Sequence, residues 1–298
     1  MTDIRTIGFV GLGNMGFPMA GHLAAAGFKL VVADAAPGVV DRFVAEHGGS
    51  AAPSLATMGA AADVVVTMLP AGAVVRQVAL GPGDCIADGM SKGAVLVDMS
   101  TSNPVDTRSL GDELAKRGIA MVDAPVAGGV VFAKDATLSI TAGGDPDHVT
   151  RCRPLFEAMA RDVVHCGPLG AGHAMKALNN FINASALITA FEALAIGKRF
   201  GLDPDIMLES MTAAATGRNN PIEKKVKPYI ADPDHVTGMA LALLAKDVGI
   251  AADTARSVGA FAPIVGLCSA LWHDAAHRFG GDRDQIDVAR LWLDDSGS

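Results

Sequence analysis

The sequence predicts a doubly wound α/β domain over residues 1–166, then an all-α domain over residues 167–298, joined through one long helix. Three observations predict it. Short apolar runs alternate with helical runs and Gly/Pro turns as far as residue 165. A G-x-G-x-x-G pattern at residues 11–16 follows directly on the first apolar run. Beyond residue 168 no β-rich run of useful length follows, and helical segments succeed one another to the end. A chain of 298 residues has room for about two domains. Half of its residues are hydrophobic but only 5% aromatic, so the cores are built from Ala, Val, Leu, Ile and Met.

The first run, residues 4–10 (IRTIGFV), reads as a short buried strand. The glycine turn comes next, then a helical run over residues 17–26 ending on Gly27, a natural helix-terminating residue. A second apolar run, 28–33, ends on Asp34. In such a βαβ unit the glycine pattern acquires meaning as the Rossmann-type dinucleotide turn. Gly11 permits the tight turn, Gly13 lets backbone approach a pyrophosphate, and Gly16 lets the helix pack close. Leu12, Asn14 and Met15 complete the turn, whose helix aims its first N–H groups at phosphate oxygens. Asp34 selects the cofactor, because a carboxylate accepts hydrogen bonds from ribose hydroxyls and repels a 2′-phosphate. Ala35, Ala36 and Pro37 follow, with no cation to neutralise such a phosphate, so NAD is expected rather than NADP. The competing reading is that Asp34 caps the next helix.

The alternation continues. Residues 63–69 (DVVVTML) form a continuous apolar strand, as buried parallel strands do, stopped by Pro70. Residues 94–99 end on Ser100 and Thr101, and Asn103-Pro104 opens a helix. Residues 119–122 run into DAPVAGG at 123–129. Strands over 138–142 and 163–165 flank a helix expected over 146–160. Ligands of doubly wound sheets bind beyond the carboxyl ends of the strands, where all these turns lie.

Residues 169–200 contain no Pro and favour helix throughout. Lys176, Asn179, Asn180 and Asn183 share one face at i, i+3, i+4 and i+7. One lysine and three asparagines make an odd solvated face, since asparagine is a mediocre helix former. Two readings stand: a wet stripe on a surface helix, or a lysine held beside amides in a cleft.

The formal net charge of −8 without a basic block argues against nucleic acid as a partner. Cys85, Cys152, Cys166 and Cys268 are scattered without a C-x-x-C, which suits free thiols in a reducing cytoplasm. Residues 7–28 are apolar but glycine-punctuated, fitting strand, turn and helix better than a signal or membrane segment. A soluble cytoplasmic protein is expected. His273 and His277 lie one helical turn apart, but no third ligand is suitably spaced, so no metal site is expected. Lys224, Lys225 and Lys227 read as a solvated patch, and His173 receives no assignment.

FVGLGNMGFPMA at 9–20, MLP at 68–70, DMST at 98–101, DAPVAGG at 123–129, GAGHAMKALNN at 170–180 and KD at 246–247 stand in order. Together they resemble the β-hydroxyacid dehydrogenase family, whose members include 3-hydroxyisobutyrate dehydrogenase, tartronate semialdehyde reductase and the larger 6-phosphogluconate dehydrogenase. The resemblance covers essentially the whole chain. It implies Lys176 as the catalytic lysine and Asn180 as the amide that orients substrate. It implies that the N–H groups of Gly128 and Gly129 grip the substrate, with Thr101 and Lys246 near the nicotinamide and Leu69 and Pro70 along the cofactor. It further implies a small hydroxyacid substrate and a homodimer or homotetramer built by the helical domain. Chemistry agrees, because oxidising an alcohol requires a base for the hydroxyl proton while hydride leaves carbon.

The chain departs from the family in places. Ala127 stands where the family usually has Ser, Phe132 replaces a small residue, and Ala136 stands where Gly is common. Lacking that hydroxyl beside the substrate carboxylate, the chain is expected to turn over 3-hydroxyisobutyrate with a high KM. The substrate is expected to differ at its anionic end, or to be gripped by the 217–221 loop with Arg218 as counter-ion. The alternatives are an NADPH-linked semialdehyde or imine reductase, and a non-catalytic dinucleotide-binding module. Retention of Lys176 argues against the imine reductases and the non-catalytic module.

Overall fold

A computed structural model describes residues 4–214, 222–259 and 262–293. Arg218 and the rest of the 217–221 loop lie outside the described residues. The chain forms two compact units, Met1–Lys176 and Ala177–Ser298, so the division falls inside the long helix.

The first unit runs β1 (Thr6–Val10), α1 (Gly16–Ala25), β2 (Lys29–Ala33), α2 (Val39–His47), β3 (Ser50–Ala51), α3 (Leu55–Ala61) and β4 (Val64–Thr67). It continues α4 (Gly72–Leu80), β5 (Val95–Asp98), α5 (Pro104–Lys116), β6 (Ala120–Asp123), β7 (Val126–Ala127), α6 (Val130–Lys134), β8 (Leu138–Gly143), α7 (Pro146–Glu157) and β9 (Ala160–Gly167). Strands β3-β2-β1-β4-β5-β6 are neighbours in that order and all parallel. The order reverses between β1 and β4, which opens the ligand crevice of a doubly wound sheet at their carboxyl ends.

Strand β8 runs antiparallel to the far edge. Asp123 pairs with Gly143, and Val126 with Ile140. The register is unbroken, so β7 continues β6 past Pro125. Helix α7 stops at Glu157, short of the residue 160 expected, because Ala160 pairs with Leu138 and belongs to β9.

Alternation along the strands builds two cores, one on each face of the sheet. Ile7, Phe9, Val64, Val66, Val95 and Val97 pack into one layer, and Val10, Val65 and Leu96 into the other. Strands β4 and β5 are buried at every position. This explains their uninterrupted apolar sequence. Each such side chain contributes roughly 1.5–3 kcal/mol when removed from water.

Helix α8 (Ala171–Phe200) carries the chain into the second unit. There follow α9 (Pro204–Ala214), a π-helical turn (Ile222–Val226), α10 (Lys227–Ala231), α11 (Leu241–Ser257), α12 (Pro263–Phe279), a 3-10 turn (Gln285–Ala289) and α13 (Arg290–Leu293). Trp272, Phe191, Leu187, Leu241 and Val248 are fully buried in its core. No helix among the described residues is long and apolar enough to cross a membrane. His273 and His277 both lie exposed on α12.

The expectation of a solvated lysine patch needs correction at Lys225. It is half-buried, its Nζ donates to Gln285 Oε1 at 3.2 Å, and burial pulls its pKa below the ordinary value. Lys224 and Lys227 are exposed as expected.

Candidate active site

The glycine turn joins β1 to α1. Gly11 has φ 99°, and its N–H donates to the Ala33 carbonyl at 2.9 Å, tying the turn to the end of β2. A Cβ on Gly11 would collide with the Met68 carbonyl, and one on Gly16 with that of Gly11, so neither position admits a side chain. Gly13 instead faces open space. Asn14 is exposed and Met15 half-buried, and α1 has no side-chain cap at Met15. A closed turn, an open middle glycine and an uncapped helix start fit a dinucleotide pyrophosphate.

Asp34 braces this turn. Its Oδ2 accepts the Leu12 N–H at 2.6 Å and its Oδ1 the Ala36 N–H at 2.7 Å. It does not cap α2, whose N-cap is Gly38. Leu12 itself is buried and its N–H is spent on Asp34, so its part in the turn is to hold shape.

Leu69 and Pro70 follow β4, Leu69 half-buried and Pro70 exposed. The Leu69 N–H donates to Ser100 Oγ at 2.9 Å, which joins the turn after β4 to the turn after β5. Thr101, next to Ser100, is half-buried. Ala127 ends β7, half-buried and paired with Ser139. Gly128 and Gly129 then turn the chain, exposed, with φ 128° and 80°. Gly128 lies against Phe132, where a Cβ would come 2.7 Å from the Phe132 Cβ. Phe132 is 43% exposed beside that turn and Val131 is 67% exposed.

Lys176 is half-buried on α8. The polar stripe is only partly solvated: Asn179 and Asn183 are half-buried and Asn180 is buried, while Met175, Leu178 and Ile182 are exposed. In the second unit Asn180 Nδ2 donates to Asp247 Oδ2 at 2.7 Å, and Lys246 Nζ stands 3.2 Å from Asp247 Oδ1. Asp247 thereby orients the Asn180 amide, whose oxygen and second N–H are left for other partners.

Three residues to which the sequence assigned no role stand at the head of α8. Asp98 ends β5, Asp123 ends β6 and His173 begins α8, and all three are buried. Asp98 accepts from Thr67 Oγ1 (2.9 Å), the Ser100 N–H (3.0 Å) and Ser102 Oγ (2.8 Å). Asp123 accepts the N–H groups of Gly170 and His173, both at 2.7 Å. Their signals in sequence are that each aspartate closes an apolar strand and that all three fall inside the motifs DMST, DAPVAGG and GAGHAMKALNN.

A glycine turn at the switch point of a parallel sheet, braced by the acid at the end of the second strand, defines a dinucleotide-binding protein. Residues 6–167 match the NAD binding domain of 6-phosphogluconate dehydrogenase, and residues 170–292 the family described as NAD-binding of NADP-dependent 3-hydroxyisobutyrate dehydrogenase. The chain is 35% identical to an NAD-dependent L-serine dehydrogenase of Pseudomonas aeruginosa, over 97% of this chain and 98% of that one. It is 36% identical to a 3-hydroxyisobutyrate dehydrogenase of the same organism, over 91% of each chain. The structure of Mycobacterium tuberculosis 3-hydroxyisobutyrate dehydrogenase with L-serine superposes with a TM-score of 0.86 at 32% identity, covering 97% of this chain and 99% of that one. The chain belongs to the β-hydroxyacid dehydrogenase family, and its N-terminal unit is an NAD-binding domain.

Proposed function

We infer that this enzyme oxidises a small β-hydroxyacid to the corresponding aldehyde acid with NAD, or runs the reverse reduction, with Lys176 as general acid and base. The observation that carries the reading is a lysine, half-buried, on a helix whose first turn is bonded to the carboxyl end of β6 in the unit that holds the NAD turn. When bound, NAD accepts a hydride on its nicotinamide ring. Lys176 in its neutral form takes the hydroxyl proton as hydride leaves carbon, and in reduction it returns that proton to the carbonyl oxygen.

Gly128 and Gly129 offer successive N–H groups in a turn suited to a carboxylate. Asn180, oriented by Asp247, adds a neutral hydrogen-bonding group, and Thr101 and Lys246 serve the nicotinamide end. Ala127 brings no hydroxyl to that grip, so the substrate differs from 3-hydroxyisobutyrate at its anionic end. The similarity to an L-serine dehydrogenase makes L-serine a natural member of the screen. Four free thiols support a cytoplasmic location, and assembly as a homodimer or homotetramer follows the family resemblance.

The test is Lys176→Ala, assayed with NAD and NADP against 3-hydroxyisobutyrate, L-serine and related hydroxyacids. Loss of roughly 10²–10⁴ in kcat with NAD affinity preserved is expected. A variant keeping more than about a third of wild-type kcat would sink the assignment.

A further inference from the structure

Lys176 lies in the second turn of α8, and the first turn sets its place. Gly170, with φ 88°, precedes the helix and has no side chain with which to cap it. The cap comes from a distant strand, as Asp123 takes the N–H groups of Gly170 and His173 on its two oxygens. A buried carboxylate there satisfies orphan donors and complements the helix dipole. Close approach requires glycine: a Cβ on Gly172 would strike the Thr141 carbonyl, and one on Gly143 would stand 2.5 Å from Asp123 Oδ1.

The His173 ring extends the arrangement. Its Nε2 lies 3.1 Å from the Ser100 carbonyl and 3.6 Å from Asp98 Oδ2. Its Nδ1 lies 2.9 Å from Thr107 Oγ1 and 3.7 Å from Asp123 Oδ2. A carbonyl oxygen only accepts, so Nε2 bears a proton. The Thr107 hydroxyl, 3.0 Å from the Asn103 carbonyl, is the hydrogen-bond partner of Nδ1. The ring is fully buried between two buried carboxylates. Ser100 is shared, since its carbonyl faces His173 while its Oγ takes the Leu69 N–H beside the cofactor turns.

We propose that Asp98, His173 and Asp123 form a buried polar anchor that fixes the first turn of α8 and so positions Lys176. The anchor deepens the reading of Lys176 as acid and base and rests on it. His173 is a positioning residue, acting through the helix that both share.

Nitrogen NMR of the holoenzyme labelled at histidine tests the buried, hydrogen-bonded ring directly. His173 is identified by the signal lost in His173→Gln, or by elimination over the other seven of the eight histidines. An exchange-protected ring N–H at Nε2 is expected, and a ring that exchanges with solvent as fast as the exposed histidines do overturns the proposal. Kinetics supply the second arm. His173→Gln keeps a polar side chain but not the ring that spans Ser100 and Thr107, and is expected to lower kcat roughly 10- to 100-fold, with NAD affinity within about twofold of wild type. Thr107→Val, which removes the Nδ1 partner, moves kcat the same way and serves if His173→Gln does not fold. A kcat within about threefold of wild type, or an equal fall in NAD affinity, overturns the positioning role. The NMR arm needs no turnover, so failure of the hydroxyacid reading and failure of the anchor are seen separately.

Discussion

Asp34 holds the Leu12 N–H at 2.6 Å, so the acid expected to read the ribose also braces the glycine turn. Its two bonds come from backbone N–H groups, and a carboxylate has lone pairs left for ribose hydroxyls. Replacing it by Ala, with Ala35→Arg, removes the repulsion of a 2′-phosphate and adds a guanidinium for it. The double variant is expected to lose kcat/KM with NAD, through both the ribose and the slackened turn, and to gain with NADP. Steady-state kinetics with both cofactors check this. A wild type that strongly prefers NADP refutes the role given to Asp34.

The three glycines of the turn divide into two kinds. Gly11 and Gly16 are enclosed by backbone, whereas a Cβ on Gly13 meets nothing within 4 Å. Gly13→Ala should therefore fold with wild-type stability and bind NAD more weakly, since its methyl group would stand where backbone must approach pyrophosphate. Gly16→Ala should instead destabilise the fold by about 1–3 kcal/mol, as overpacking against rigid backbone does. Calorimetry of the thermal transition beside NAD titration separates the two. Equal effects of both substitutions on stability would refute the distinction.

How far the sequence shows this architecture depends on whether a feature is local. The enclosed glycines are legible because close backbone contact forces the residue type at fixed spacing. The buried strands β4 and β5 are legible because both of their faces are apolar. Asp123 is not legible as the cap of α8, because it lies 47 residues before Gly170 and the position it serves is a plain glycine. Asp247 is hidden likewise, orienting Asn180 from 67 residues away. Lys225 sits in a K-K-x-K run that looks solvated, yet its π-helical turn directs it to Gln285. Strand β7, with two residues, is too short for periodicity to show.

Ala136 is the one described non-glycine residue with positive φ, at 53°. It follows α6, and the Thr137 N–H returns to the Phe132 carbonyl at 2.9 Å. That bond closes a Schellman end, with Ala136 at the position glycine ordinarily takes. A left-handed alanine costs about 1–2 kcal/mol, partly offset by the lower entropy of its unfolded chain. Ala136→Gly should stabilise by about 0.5–1 kcal/mol, read as a higher urea midpoint with unchanged slope. An unchanged or lower midpoint would show that the strain is absorbed elsewhere.

Lys225 should give stability a particular dependence on pH. Its Nζ donates to Gln285 Oε1, and Gln285 Nε2 donates onward to Thr237 Oγ1 at 2.6 Å. Burial lowers its pKa from the ordinary 10.5, and the negative charge of Asp284 opposes that shift only in part. Between the lowered value and 10.5 the unfolded chain therefore binds more protons at this site than the folded chain. Stability must then rise with pH through that window, whereas below it the cost of burying the charge is constant. Lys225→Met removes the titrating group and leaves the other titrating groups of the chain in place. Unfolding by urea at about pH 7 and about pH 10 should thus show the wild type gaining on the variant at the higher pH. A difference between the two proteins that does not change with pH, or that shifts toward the variant, would mean that Lys225 is as well solvated when folded as when unfolded.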